Sequence, residues 1–238
     1  MRKVFSGHQP NFLPSMGVLY KVFKSDVFIW DDDVQFTSKE YRGVNGVKIG
    51  HNANAIRVGD NRCQITVPVS YSFGDKINET RINYSTNWDE KMLKTIKMNY
   101  GKYPFFELGY SLLEDALSKK FTYLSELNLY LLDKIVKGFG FDTKIVIASK
   151  DLPTDLMKNE RNVWQCVQLG GNVYYSGTGG GRIYNDEEMY RKNGIEIEYS
   201  DFEPTPYRQY HKKSFIPHLS VLDYIMNEGF KIPDDWRK

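Results

Sequence analysis

The chain has 238 residues, with 32 Lys plus Arg against 30 Asp plus Glu, so its formal net charge is only +2. Charges of both signs are interleaved, which leaves no basic face for nucleic acid. No apolar run approaches the roughly 18 residues of a membrane span. The polar run Gly7-His8-Gln9-Pro10 interrupts any signal-peptide core, and Cys63 and Cys166 form neither a disulfide framework nor a zinc-ligand spacing. These features predict a cytoplasmic protein with no membrane span, folded as one domain over residues 1–238.

The elements read in chain order as follows. Lys3 to Ser6 is a short strand. Pro10 and Pro14 cannot lie inside a helix, so the next helix is expected from a Ser15 cap to about Lys24, with Val18, Leu19, Val22 and Phe23 on one face. Asp26 to Trp30 (DVFIW) is a continuous apolar run, as in a strand covered on both faces. Residues 41–70 alternate and are broken by Gly and Asn, which predicts a β-hairpin excursion. A helical insertion follows over 87–140: Trp88 to Asn99 behind an Asn87 cap, Pro104 to Lys120, and Tyr123 to Phe139 closing on Gly138 and Gly140. Then come a strand at Lys144 to Ala148, a helix at Asn159 to Leu169 stopped by Gly170-Gly171, and a strand at Val173 to Ser176. A helix at Glu187 to Asn193, a strand at Ile195 to Tyr199, a closing helix at Phe215 to Asn227 and a tail from Asp234 complete the chain. Strands alternating with helices through short loops predict an α/β fold, a mostly parallel Rossmann-like sheet flanked by helices.

Four clusters carry polar chemistry. The first, GHQPNFLPSMG at 7–17, leaves the first strand for the first helix and offers His8 and Gln9. A proline-rich turn with a structural histidine is the competing reading. The second is Asp31, Asp32 and Asp33 at the end of the DVFIW strand, where open α/β sheets place their ligands. Consecutive residues on an extended strand alternate, so at most two of the three share a face. A solvated acidic turn is the plain reading, and Asp32 and Asp33 stay candidates because the buried run aims them at the crevice. The third, SGTGGGRIY at 176–184, exposes backbone that can cradle phosphate beside Arg182, or is a flexible turn. The fourth combines Ser149, Lys150, Lys158 and Arg161, a set of cations for phosphate or a solvated helix start. Tyrosine is unusually common, at 17 residues. It suits either pocket walls or a core with wet edges. No serine-hydrolase elbow, zinc-protease, kinase, Walker A or dinucleotide fingerprint is present, and the residues specify no metal and no cofactor.

Taken in order, HQPNFLPSMG, SDVFIWDDDVQFTSKEYR, VNGVKI, TVPVS, NWDEKMLKTIKMNYGKYPFF, SGTGGGRIYN and YRQYHKKSFIPHLSVLDYIMNEG resemble the WbqC-like family over essentially the whole chain. The matching positions are Gln9, Pro10, Asn11, Pro14 and Gly17, then Asp32, Asp33, Val34, Gln35, Arg42, Asn45 and Lys48. They resume at Ser176, Gly177, Gly179, Gly180 and Tyr184, and end with Tyr207, Gln209, Phe215, Ser220 and Asp223. Gly43 and Val44 depart from an Arg-Asn pattern ahead of the Lys, and Ser15 stands where a Trp is common. Members of this family occur in bacterial gene clusters for O-antigen and other surface polysaccharides. The resemblance therefore implies a role in making or decorating a sugar, and together with the Tyr-rich, Gly-rich polar clusters it leads to an enzyme that transfers an acyl or aminoacyl group to the amine of a nucleotide-linked sugar. In that reading His8 is the general base, Asp32 and Asp33 orient the amine or a metal, and Arg42, Lys48 and the Gly177–Gly181 loop hold phosphate. An ATP- and Mg²⁺-dependent nucleotidylyltransferase or ligase and a non-catalytic sugar-nucleotide binding subunit are the alternatives.

Overall fold

The computed structural model describes residues 1–37, 41–42, 48–177, 181–210 and 214–237, with only the backbone at 41, 42, 48 and 49. In chain order the strands are β1 (Val4–His8), β2 (Val27–Trp30), β3 (Tyr41–Arg42), β4 (Lys48–Ile49), β5 (Ala53–Val58) and β6 (Asn61–Thr66). They continue with β7 (Val69–Ser70), β8 (Arg81–Ile82), β9 (Lys144–Ile147), β10 (Val173–Ser176) and β11 (Glu196–Tyr199). The helices are α1 (Met16–Phe23), α2 (Trp88–Tyr100), α3 (Phe106–Ser118), α4 (Leu124–Phe139), α5 (Ala148–Asp151) and α6 (Lys158–Gln168). Two short ones, α7 (Gly181–Tyr184) and α8 (Glu187–Lys192), precede α9 (Val221–Glu228). The chain divides into two compact units, one of residues 1–9, 17–33 and 141–203, the other of 10–16, 34–140 and 204–238.

The first unit is built on a five-stranded sheet in the order β11-β10-β1-β2-β9, with every neighbouring pair parallel. The α/β expectation holds. Its strands read as apolar runs because helices cover both faces: all four residues of β2 and all four of β10 are buried. On one face Phe5, Ile29, Val146 and Tyr174 pack against Val163 and Cys166 of α6. A fully buried Phe such as Phe5 contributes about 2–3 kcal/mol by leaving water. Gly170 ends α6 at φ +70, and the next residue must also be glycine, because a Cβ on Gly171 would lie 2.2 Å from the Phe5 ring.

The second unit holds the hairpin β5–β6, closed by a two-residue turn at Gly59-Asp60, and the helices α2, α3, α4 and α9. Leu124, Leu127, Leu131 and Ile135 form the apolar stripe of α4 at helical spacing, and Gly140 caps it at φ +68. The elements of the second unit differ from the sequence expectation in several places. The closing helix begins at Val221 rather than Phe215, since Pro217 cannot donate and His218 takes φ +57. Asn87 occupies the position before α2 but makes no side-chain cap bond. The expected tail forms a 3-10 turn at Asp234–Arg237 that buries Trp236.

Candidate functional site

The strand order fixes where a ligand would meet the first unit. From β1 the chain moves one way to β2 and β9, then returns to the other side for β10 and β11. β1 and β10 therefore flank a topological switch point, and the crevice beyond their carboxyl ends is the usual ligand position in open α/β sheets. β1 ends at His8 and β10 at Ser176. The half-buried His8 ring places Nδ1 2.7 Å from the Gln9 carbonyl. A carbonyl only accepts, so Nδ1 carries the hydrogen and Nε2 is the acceptor nitrogen of the neutral ring. Gln9 itself is exposed.

The three acids after β2 are not a solvated turn. Asp32 is 5% exposed, and its carboxylate accepts from the Ser149 backbone N–H at 3.0 Å and from the Ser149 hydroxyl at 2.7 Å. It thereby satisfies donors in the first turn of α5, a capping role. Asp33 pairs with Arg161 of α6. Asp31 reaches the same guanidinium at 3.5 Å and accepts from Gln165 at 3.1 Å. Asp31 and Asp33 thus share Arg161 while Asp32 turns to Ser149, an arrangement set by the turn that follows β2.

Asp31 is the member that sequence reasoning passed over. Its backbone N–H donates to the His8 carbonyl at 3.1 Å, and a Cβ on Gly7 would lie 2.9 Å from its Oδ2. Gly7 is therefore needed for this carboxylate to rest on β1. Burial pushes the Asp31 carboxyl up to about 6, with Gln165, Arg161 and Lys21 pulling against it. Lys21, buried in α1, gives its ammonium to the Gly7 carbonyl at 2.7 Å, and desolvation lowers it to about 8. The only forewarning in the sequence was the adjacency of the three acids. Of the fourth cluster, Lys150 and Lys158 are exposed, and the charge of Arg161 is spent on Asp33 and Asp31 rather than held for phosphate.

At the end of β10 the Ser176 hydroxyl accepts from Asn185 at 2.9 Å. A Cβ on Gly181 would lie 2.2 Å from that hydroxyl oxygen, whereas one on Gly177 would meet nothing within 4 Å among the described residues. Residues 181–184 form the helical turn α7, with Arg182 stacked 5.2 Å over the Tyr199 ring and Tyr184 exposed. Gly179, Gly180 and Asn45 lie outside the described residues. Among the described residues, no group of three or more His, Cys, Asp or Glu could hold a metal ion.

The remaining candidates belong to the second unit. Arg42 and Lys48 are opposed positions of the β3–β4 pair. Gln35 is exposed and bridges to Lys76 through the backbone. Tyr207 and Gln209 are brought together, but around Asp223 and not around open space. Tyr207 donates to Asp223 at 2.5 Å, and Tyr100 does so at 2.7 Å. Gln209 accepts from Arg57 and from the Ile216 N–H, and donates to the Ile216 carbonyl at 2.9 Å. Their polar atoms are engaged by the chain itself. Many other tyrosines, including Tyr20, Tyr174, Tyr175 and Tyr190, are core residues.

A model of the WbqC-like protein family matches residues 9–234 of the chain. An uncharacterized protein of Mycobacterium tuberculosis is 31% identical over 231 residues, which cover 95% of this chain and 94% of that protein. No solved structure matches.

Proposed function

The chain belongs to the WbqC-like protein family, and on that footing we propose that it acts in making a bacterial surface polysaccharide, transferring an acyl or aminoacyl group to the amine of a nucleotide-linked sugar. The observation that carries this reading is the pairing at the switch point: an imidazole with an acceptor Nε2 at the end of β1, next to the strand that ends in Ser176 and leads to Gly177. His8 takes the proton as the amine nitrogen bonds to the acyl carbon. The bond from that carbon to the donor's leaving group breaks with its electron pair, and His8 returns the proton to the leaving group. The Ser176–Gly177 backbone offers N–H groups to phosphate oxygens. Asp33 and Asp32 act behind the reacting groups, holding α6 and α5 in place.

Thermal-shift titration tests the binding half of the proposal. A nucleotide-linked amino sugar at about 100 times its Kd raises stability by roughly 2.7 kcal/mol. With a competent donor, His8→Ala lowers the transfer rate on the order of 10²-fold or more at unchanged folding. Full activity of that variant removes His8 from the mechanism. A shift seen only with ATP and Mg²⁺ replaces transfer by nucleotidylyl or ligase chemistry, and silence with every nucleotide sugar overturns the reading.

A further inference from the structure

The sheet of the first unit splits at its switch point. β1 keeps its partner β2 as far as His8 opposite Trp30, but its register with β10 ends at Phe5 opposite Tyr174. Successive carbonyls of a central strand turn to alternate neighbours. The His8 carbonyl accepts from the Asp31 N–H, which follows β2, and the Lys3 carbonyl from the Val173 N–H of β10 at 3.2 Å. The Gly7 carbonyl therefore turns to the β10 side, where the ladder has already ended. Its donor comes from a side chain instead, the Lys21 ammonium at 2.7 Å. Lys21 is only 8% exposed, a costly place for a charge. The Asp31 carboxylate favours that charge, and the same carboxylate lies against Gly7. One residue beyond His8, the Gln9 carbonyl takes the ring Nδ1 at 2.7 Å.

We infer that Lys21 is a positioning residue for His8: its ammonium stands in for the strand that β1 has lost and holds the Gly7–His8 peptide where the imidazole keeps Nδ1 on the Gln9 carbonyl. The assignment rests on the reading that His8 is the general base. A neutral imidazole acts as a base only through the nitrogen that carries no hydrogen, so fixing one tautomer fixes which nitrogen accepts the proton. An apolar side chain at position 21 would spare the desolvation cost and leave the Gly7 carbonyl without its donor where the strands part.

Nitrogen NMR of the histidine rings in the full chain tests this. In its neutral form the His8 ring of the natural chain should show Nδ1 protonated and Nε2 bare. Lys21→Met should turn this into a mixture of the two neutral tautomers and leave the His51 ring unchanged. Ser25→Ala breaks a different contact beside α1, the 2.7 Å bond to the Ser6 hydroxyl, and leaves the ammonium in place. It should lower the melting temperature and keep the single His8 tautomer. If Lys21→Met does not fold, the natural chain is taken from about pH 7 to about pH 9 instead. Loss of the Lys21 charge near 8 should then move the His8 ring signals. Asp31, which Lys21 faces, also faces Arg161, Asp33, Cys166 and Tyr174. Burial puts the Asp31 carboxyl near 6, lifts Cys166 to about 12 and lifts Tyr174 well above its usual value, so none of these three titrates in that range. With a competent donor, Lys21→Met should lower kcat on the order of 10- to 100-fold, with KM within about twofold. One unchanged His8 tautomer without the Lys21 charge, the same mixture in Ser25→Ala, or an unchanged kcat would each overturn the assignment. Failure of the transfer reading looks different: nucleotide sugars then leave the melting temperature unmoved, while His8 still loses its single tautomer in Lys21→Met.

Discussion

Each unit buries an arginine among acids, and the two arginines are used differently. Arg57, 1% exposed, donates to Gly59 O, Ser214 O, Gln209 and Asp60. Asp223 in the same network accepts from Tyr100, Tyr207, Gln209 and Asn227. Arg161 in the first unit leaves its Nε buried without a partner and shares one terminal nitrogen between Asp33 and Asp31. The Arg57 network is closed and serves the fold. The Arg161 network keeps spare capacity, and it lies at the carboxyl end of parallel strands where ligands bind. A buried charge is thus not in itself a sign of a site; the sign is a buried charge whose neighbours do not complete it.

Breaking the closed network gives the largest expected effect. Arg57→Met removes a cation from several buried acceptors and should cost about 3–5 kcal/mol in urea unfolding, with no pH optimum near 6. A cost below about 1 kcal/mol would show that the network is not closed in solution.

The same unit should show its own acid sensitivity through His51, lowered by burial from 6.5 to about 4. A histidine with a depressed folded value binds fewer protons folded than unfolded, so its contribution is present above pH 6.5 and fades as pH falls to 4. The loss over that window is about 3 kcal/mol. His51→Gln should flatten this part of the stability profile, and an unchanged slope would place the titration elsewhere.

Arg161→Met sharpens the contrast through its pH dependence. At pH 8 both Asp31 and Asp33 lose their cation, at a cost of about 2 kcal/mol. At pH 5 the cost should fall by half or more, because Asp31, already raised to about 6, takes up a proton. Equal costs at the two pH values would mean that Asp31 is not the titrating member.

The α/β class was legible because VFIW and VYYS are strands buried at every position, and such burial is written as apolar runs, a pattern that KIVI at the sheet edge shares although it is only partly buried. The helices were legible from their period, as in α4. The start of α9 was misread because helical spacing continues through Phe215 while backbone geometry at Pro217 and His218 forbids the helix. His8 and the acids were legible as candidates from their position after apolar strands. Which acid stays under-compensated was not, since Asp33 meets Arg161 across 128 residues and Asp32 meets Ser149 across 117. The same holds for Tyr207 and Gln209, whose partner Asp223 lies on another element.

The sequence by itself determined the local periods, the turn chemistry and the chain positions where charge leaves a buried strand, because these depend on residues within a few places of one another. Only the tertiary structure decided which of those charges are spent. Pairing and desolvation are properties of groups brought together from distant parts of the chain, as at Asp31, Asp33 and Arg161.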